Sequence, residues 1–143
     1  MIARIAINGF GRIGRNALKI ALQKSDLEVV AINDLAPARV LAHLLKYDSV
    51  YGVYPKEIQV EEGGKIVETE GLTTQSGHFT KTRAAESYLV VDSKRIKVIA
   101  EKDPGKLPWK DLRVDVVLEC TGRLTEGDSA SVHLKSGAEK VIV

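Results

Sequence analysis

The sequence predicts an α/β fold: a doubly wound, mainly parallel sheet with an antiparallel, β-rich excursion around residues 57–100. Three observations carry this. Apolar runs of strand length near 2–7, 27–32 and 114–120 are separated by helical patterns, the order of βαβ units. The runs 27–32 and 114–120 are largely apolar on both sides, as buried parallel strands are. Residues 57–61, 65–70, 88–92 and 95–100 instead alternate with period two, the pattern of strands with one wet face.

The first strand, with Ile2, Ile5 and Ile7, runs directly into Gly9-x-Gly11-x-x-Gly14, and a helix pattern follows at once. Strand, glycine turn and helix start in that order make the Rossmann-type dinucleotide turn. Gly9 permits the tight turn, Gly11 lets backbone approach a pyrophosphate, and Gly14 lets helix and strand pack closely. The free N–H groups and positive end of the helix then face the anion. Ile13, Ala17, Ile20 and Ala21 share one face of that helix, which is expected to end near Ser25-Asp26.

The second strand, Leu27 to Ile32, ends at Asn33-Asp34. An acid about 20 residues beyond the turn accepts hydrogen bonds from an adenosine ribose. A carboxylate there repels a 2′-phosphate, which favours NAD over NADP. Asp34 is also placed to cap the next helix, with Pro37 close to the first helical position, and the two roles can coexist. That helix spans Ala38–Lys46, buries Val40, Leu41, Leu44 and Leu45, and leaves His43 near the surface. Tyr47 to Gly52 reads as a loop.

Turns at Gly63-Gly64 and Asp92-Ser93-Lys94 join the alternating strands. The polar stretch from Gly71 to Ser87 reads as an exposed excursion, and His78 within it has no second ligand at metal spacing. Short turns surround 103–109, where Trp109 reads as a packing residue. A helix over Asp128–Ser136 turns Ala130, Val132 and Leu134 partly inward, with Gly137 just past its end. Lys140 to Val143 forms a last strand.

The 143 residues suggest one domain, 1–143, with ordinary apolar and charged fractions. A net charge of +2 and dispersed Lys and Arg argue against a nucleic-acid partner. No apolar run approaches membrane-spanning length. The single cysteine excludes an internal disulfide and fits a cytoplasmic location.

Several of these stretches together resemble one family. Ile7-Asn-Gly-Phe-Gly-Arg-Ile-Gly-Arg15, Ala31-Ile-Asn-Asp34, Tyr47-Asp-Ser49, Glu101-Lys-Asp-Pro104, Pro108-Trp109, Cys120-Thr-Gly122 and Gly137-Ala-Glu-Lys-Val-Ile-Val143 are similar to motifs of glyceraldehyde-3-phosphate dehydrogenase. The likeness is to its amino-terminal NAD-binding part. Erythrose-4-phosphate dehydrogenase ranks second, because it tends to carry Glu where this chain has Asp34. A free-standing NAD-binding or regulatory module without catalysis is the alternative from another class.

The resemblance implies roles residue by residue. Arg12 and Ile13 stand where backbone N–H groups meet the pyrophosphate, and Asn8 and Phe10 line the same turn. Asn33 and Asp34 stand at the adenosine ribose, with Leu35 beside them. Lys102 stands in the motif that touches adenine, and Thr121 and Gly122 lead toward nicotinamide. The resemblance also implies a glycolytic oxidoreductase that converts glyceraldehyde 3-phosphate and phosphate to an acyl phosphate, with hydride passing to NAD, in a homotetramer when complete. Two departures are expected. The family's Ser-Cys-Thr-Thr-Asn motif, its histidine base and its catalytic domain are absent from these residues, so the chain alone is expected to be inactive. Residues near 62–87 read as an insertion. Cys120, at a strand end with no histidine placed to activate it, is not taken as a substitute nucleophile.

Overall fold

The computed structural model describes residues 1–67 and 86–143. Of the excursion expected from Gly71 to Ser87, residues 71–85, His78 included, lie outside the described residues, and Ser87 opens a strand. In chain order the elements are β1 (Ala3–Asn8), α1 (Arg12–Ala21), β2 (Leu27–Asn33), α2 (Ala38–Lys46), β3 (Tyr47–Asp48), β4 (Gly52–Val53), β5 (Ile58–Glu62), β6 (Lys65–Val67), β7 (Ser87–Val91), β8 (Lys94–Ile99), β9 (Val116–Glu119), α3 (Gly127–Ala130), α4 (Val132–Lys135) and β10 (Lys140–Ile142). They fall into two compact units, Met1–Leu35 with Ile99–Val143, and Ala36–Val98.

In the first unit the strands lie in the order β10-β9-β1-β2, all parallel. Ile7 sits between Ile32 and Leu118, and Asn8 between Asn33 and Glu119, so one row of residues crosses the strand ends. The apolar residues that made these runs legible are the core. Ala6, Ala31 and Val117 pack with Leu107, Trp109, Val114 and Ala138. This is the α/β, Rossmann-type arrangement that the sequence predicts.

In the second unit β8, β7, β5 and β6 are antiparallel neighbours. Val60, Leu89, Val91 and Ile96 are buried, and α2 packs on β5 and β7 through its own unit's buried face, with Leu41 and Leu45 inward. The two expected tight turns are present. Gly63 and Gly64 both have positive φ, as do Asp92 and Ser93, the backbone that a two-residue hairpin requires. His43 is exposed and stacks on Tyr47.

Four local expectations are corrected. Helix α1 stops at Ala21, with Leu22 as its cap, rather than near Ser25-Asp26; Gln23 and Lys24 close short turns to Ile20 and Ala21. Its buried face is Gly14, Leu18 and Ala21, whereas Ile13 and Ile20 are exposed. A Cβ on Gly14 would overlap the Gly9 carbonyl and stand 3.2 Å from the Ile7 side chain of β1, so this face of the helix must turn inward. Tyr47 to Gly52 is not simply a loop, because Tyr47-Asp48 pairs with Gly52-Val53. The helix expected over 128–136 is two short helices, α3 and α4, broken at Ser131; His133 points inward and Leu134 outward.

Candidate functional site

The glycine turn is built by overlap and by openness in turn. Gly9 has φ +93°, and a Cβ there would stand 2.8 Å from the backbone nitrogen of Thr121. A Cβ on Gly14 would overlap the carbonyl oxygen of Gly9. Both glycines are therefore required by backbone-to-backbone packing. Gly11 differs: no atom lies within 4 Å of where its Cβ would be. It is the N-cap residue of α1, and no side chain caps that helix. Gly11 itself supplies no side chain to the first N–H groups of α1, and the space where its Cβ would stand is open.

Gly11 lines a cleft of about 760 Å³ in the first unit, at the carboxyl ends of its parallel strands. This is where ligands bind in open α/β sheets. Of the residues expected from the sequence, Asn8, Gly9, Gly11, Asn33, Asp34, Leu35, Lys102 and Thr121 line it. Phe10 does not: its ring is 1% exposed and belongs to the core. What Phe10 offers the site is its N–H, which donates to Asp34 Oδ2 at 2.8 Å. Arg12, Ile13, Gly14 and Gly122 are also outside the lining. Arg12 and Ile13 are exposed on the first turn of α1, Gly14 is the helix–strand contact, and Gly122 has φ +72° with open space around it.

The N-cap position of α2 is filled by Pro37, not by Asp34. The Asp34 carboxylate instead ties β2 to the glycine turn, and its own N–H donates to the Ile99 carbonyl at 3.0 Å. Asn8 and Asn33 are 5% and 6% exposed and bond mainly to other protein groups. Asn33 Nδ2 donates to Asn8 Oδ1 at 2.8 Å, and the Glu101 N–H donates to Asn33 Oδ1 at 2.9 Å.

The cleft wall also includes Glu101, Pro104, Cys120, Arg123 and Leu124. Beneath it lies Glu119, whose carboxylate is buried. Burial alone would push this carboxyl upward. Hydrogen bonds from His133, Thr121 and Asn8 outweigh that and hold it below the usual carboxylate range. The Cys120 thiol is pushed up by burial and then by the Glu119 charge, which leaves it a poor nucleophile near neutral pH. Glu119 had a readable signal, a charged residue closing an apolar strand, which must find partners when buried. His133 had none, because its partners are 14 and 24 residues away in sequence. Among the described residues, no group of three or more His, Cys, Asp or Glu could hold a metal ion, and no helix is long and apolar enough to cross a membrane.

The chain matches the family described as "Glyceraldehyde 3-phosphate dehydrogenase, NAD binding domain" over residues 3–76 and 72–127. The chain belongs to this family. It is 49% identical over 142 residues to glyceraldehyde-3-phosphate dehydrogenase of Clostridium acetobutylicum, covering 99% of this chain and 35% of that protein. It is 48% identical over 144 residues to the enzyme of that name from Thermotoga maritima, and 44% identical over 143 residues to that from Geobacillus stearothermophilus. It spans 36% of each of these two. The chain thus corresponds to about a third of the length of these glyceraldehyde-3-phosphate dehydrogenases, and NAD is the cofactor of the domain it matches. The join between the two matched segments, at 72–76, falls within the stretch that reads as an insertion.

Proposed function

We propose that the cleft of the first unit seats NAD for a phosphorylating glyceraldehyde-3-phosphate dehydrogenase reaction. The observation that carries this is the open space over Gly11 at the uncapped N-terminus of α1. A pyrophosphate placed there accepts hydrogen bonds from the backbone N–H groups of Arg12 and Ile13 and meets the positive end of the helix dipole. That backbone role does not require Phe10, Arg12 or Ile13 to line the cleft with side chains. Gly9, Gly14 and Gly122 shape the turns on either side. Asp34, held by the Phe10 N–H, offers carboxylate oxygen to the ribose hydroxyls and repels a 2′-phosphate. Lys102 and Leu35 stand at the adenine end, and Thr121 at the end that leads to nicotinamide.

Bound NAD supplies the hydride acceptor, and these residues bind and orient it. Cys120, whose thiol pKa is raised by burial and by the Glu119 charge, does not act as the nucleophile. The 143 residues by themselves are therefore expected to bind NAD without turning over glyceraldehyde 3-phosphate and phosphate. We further propose that residues near 62–87 are an insertion, that the complete enzyme is a homotetramer, and that it works in the cytoplasm. The test is direct. Titration of the protein with NAD should saturate, and Gly11→Ala should weaken it. Mixing the protein with NAD, the aldehyde and phosphate should give no NADH. Substrate-dependent NADH from these residues alone would overturn the division of labour.

A further inference from the structure

A chain of buried hydrogen bonds runs from the sole tryptophan to the cleft wall. Trp109 Nε1–H donates to His133 Nδ1 at 3.0 Å. His133 Nε2 lies 2.6 Å from Glu119 Oε2, and Asn8 Nδ2 donates to the same oxygen at 2.8 Å. The other carboxylate oxygen accepts the Thr121 N–H at 3.0 Å and the Thr121 hydroxyl. Asn8 Oδ1 then accepts from Asn33, which exchanges two hydrogen bonds with the backbone of Glu101. Trp109 and His133 are fully buried and do not line the cleft, whereas Asn8, Thr121, Asn33 and Glu101 all do.

The direction of this chain is set at one end. An indole N–H can only donate, so His133 Nδ1 must accept. The imidazole is then neutral, with its proton on Nε2, and it donates to Glu119. The carboxylate takes four donors, about the number of its lone-pair sites. Asn8 must turn its NH2 to Glu119, which leaves its oxygen for Asn33. Asn33 must turn its oxygen to the Glu101 N–H. Every group has one orientation, and reversing one places donors against donors along the rest.

We propose that Trp109, His133 and Glu119 are positioning residues for the NAD cleft: a single tautomer of His133, imposed by Trp109, holds the Glu119 carboxylate, which fixes Thr121 on one wall and, through Asn8 and Asn33, Glu101 on the other. This rests on the reading of the cleft as the NAD site. Arg123 N–H donates to the Thr121 hydroxyl at 3.1 Å, so the turn after β9 is held by the same carboxylate.

Glu119→Gln is the discriminating change, because it keeps shape and turns one acceptor into a donor. With its oxygen toward Thr121, the new amide N–H faces His133 Nε2 and Asn8 Nδ2, and Trp109 blocks the tautomer that would relieve it. The wild-type protein should show nitrogen-15 resonances of the Nε2–H tautomer at His133, and NAD should shift the Trp109 indole resonance although that ring is outside the cleft. Glu119→Gln should bind NAD about tenfold to a hundredfold more weakly, and its Glu101 amide should exchange faster. Trp109→Phe, which keeps an aromatic core, leaves His133 Nδ1 without its donor while the Glu119 carboxylate still demands a proton on Nε2; the His133 Nδ1 resonance should move, and NAD should bind a few-fold more weakly. Wild-type protein that binds no NAD overturns the reading of the cleft. Wild-type protein that binds NAD, with affinity and Glu101 exchange unchanged in Glu119→Gln, overturns the positioning role alone. Should Glu119→Gln fail to fold, Trp109→Phe with wild-type NAD affinity and wild-type Glu101 exchange overturns it equally.

Discussion

Gly14 packs so closely on the carbonyl oxygen of Gly9 that no side chain fits between helix α1 and the turn before it. Gly11, three residues earlier, has open space where a side chain would be. The same three-glycine pattern thus contains two positions closed by the protein itself and one left open.

That contrast separates folding from binding. Gly14→Ala is expected to cost about 1–3 kcal/mol, because helix and strand must move apart. Gly11→Ala is expected to cost about 1 kcal/mol or less, the loss of a glycine N-cap, and yet to weaken NAD about tenfold or more as its methyl enters the space of the pyrophosphate. Denaturant unfolding and NAD titration of both variants check this. Equal NAD affinity in Gly11→Ala and the parent would remove the pyrophosphate from this position.

Glu119 predicts the acid side of the stability curve. Its pKa in the folded protein is lowered, so the unfolded chain takes up its proton first as pH falls. The stabilisation is fully present above the unfolded value, about 4.3, and is lost as pH drops through the lower folded value. Glu119→Gln should therefore be less stable than the parent near neutral pH, and the gap should narrow in acid. A gap that stays constant across that range, in thermal or denaturant melts, would mean that folding does not lower the Glu119 pKa.

Cys120 is half-buried in the cleft wall, and burial and the Glu119 charge both raise its pKa. Iodoacetamide should alkylate it more slowly than a free thiol near neutral pH, and faster as pH rises. Bound NAD should slow the reaction further, since Cys120 lines the cleft. Mass spectrometry of the single thiol reads this directly. Alkylation as fast as that of a free thiol would contradict the burial.

The parallel strands and the glycine turn were legible because their signals are local: apolar runs, a fixed glycine spacing, and an acid at the next strand end. The isoleucines of α1 do not give its rotation. Ile13 and Ile20 fit a helical face, but so do Gly14, Leu18 and Ala21, and only the second set brings Gly14 against Gly9. The requirement that Gly14 pack closely already implied that rotation. Phe10 was placed at the turn, where its N–H serves Asp34 while its ring fills the core. The chain from Trp109 through His133 to Glu119 was out of reach, since tertiary contacts between distant segments create it and no spacing encodes it.

The proposed cleft, with Asp34 at the end of β2, should seat NAD in preference to NADP. Paired calorimetric titrations of the protein and Asp34→Asn with both nucleotides test it most directly. Asparagine can still accept the Phe10 N–H, so the turn should persist. Saturable NAD binding with weaker NADP binding is expected in the parent, then a loss of NAD affinity of about tenfold and a narrowed preference in Asp34→Asn. Superimposable curves for the two proteins with both nucleotides would contradict it.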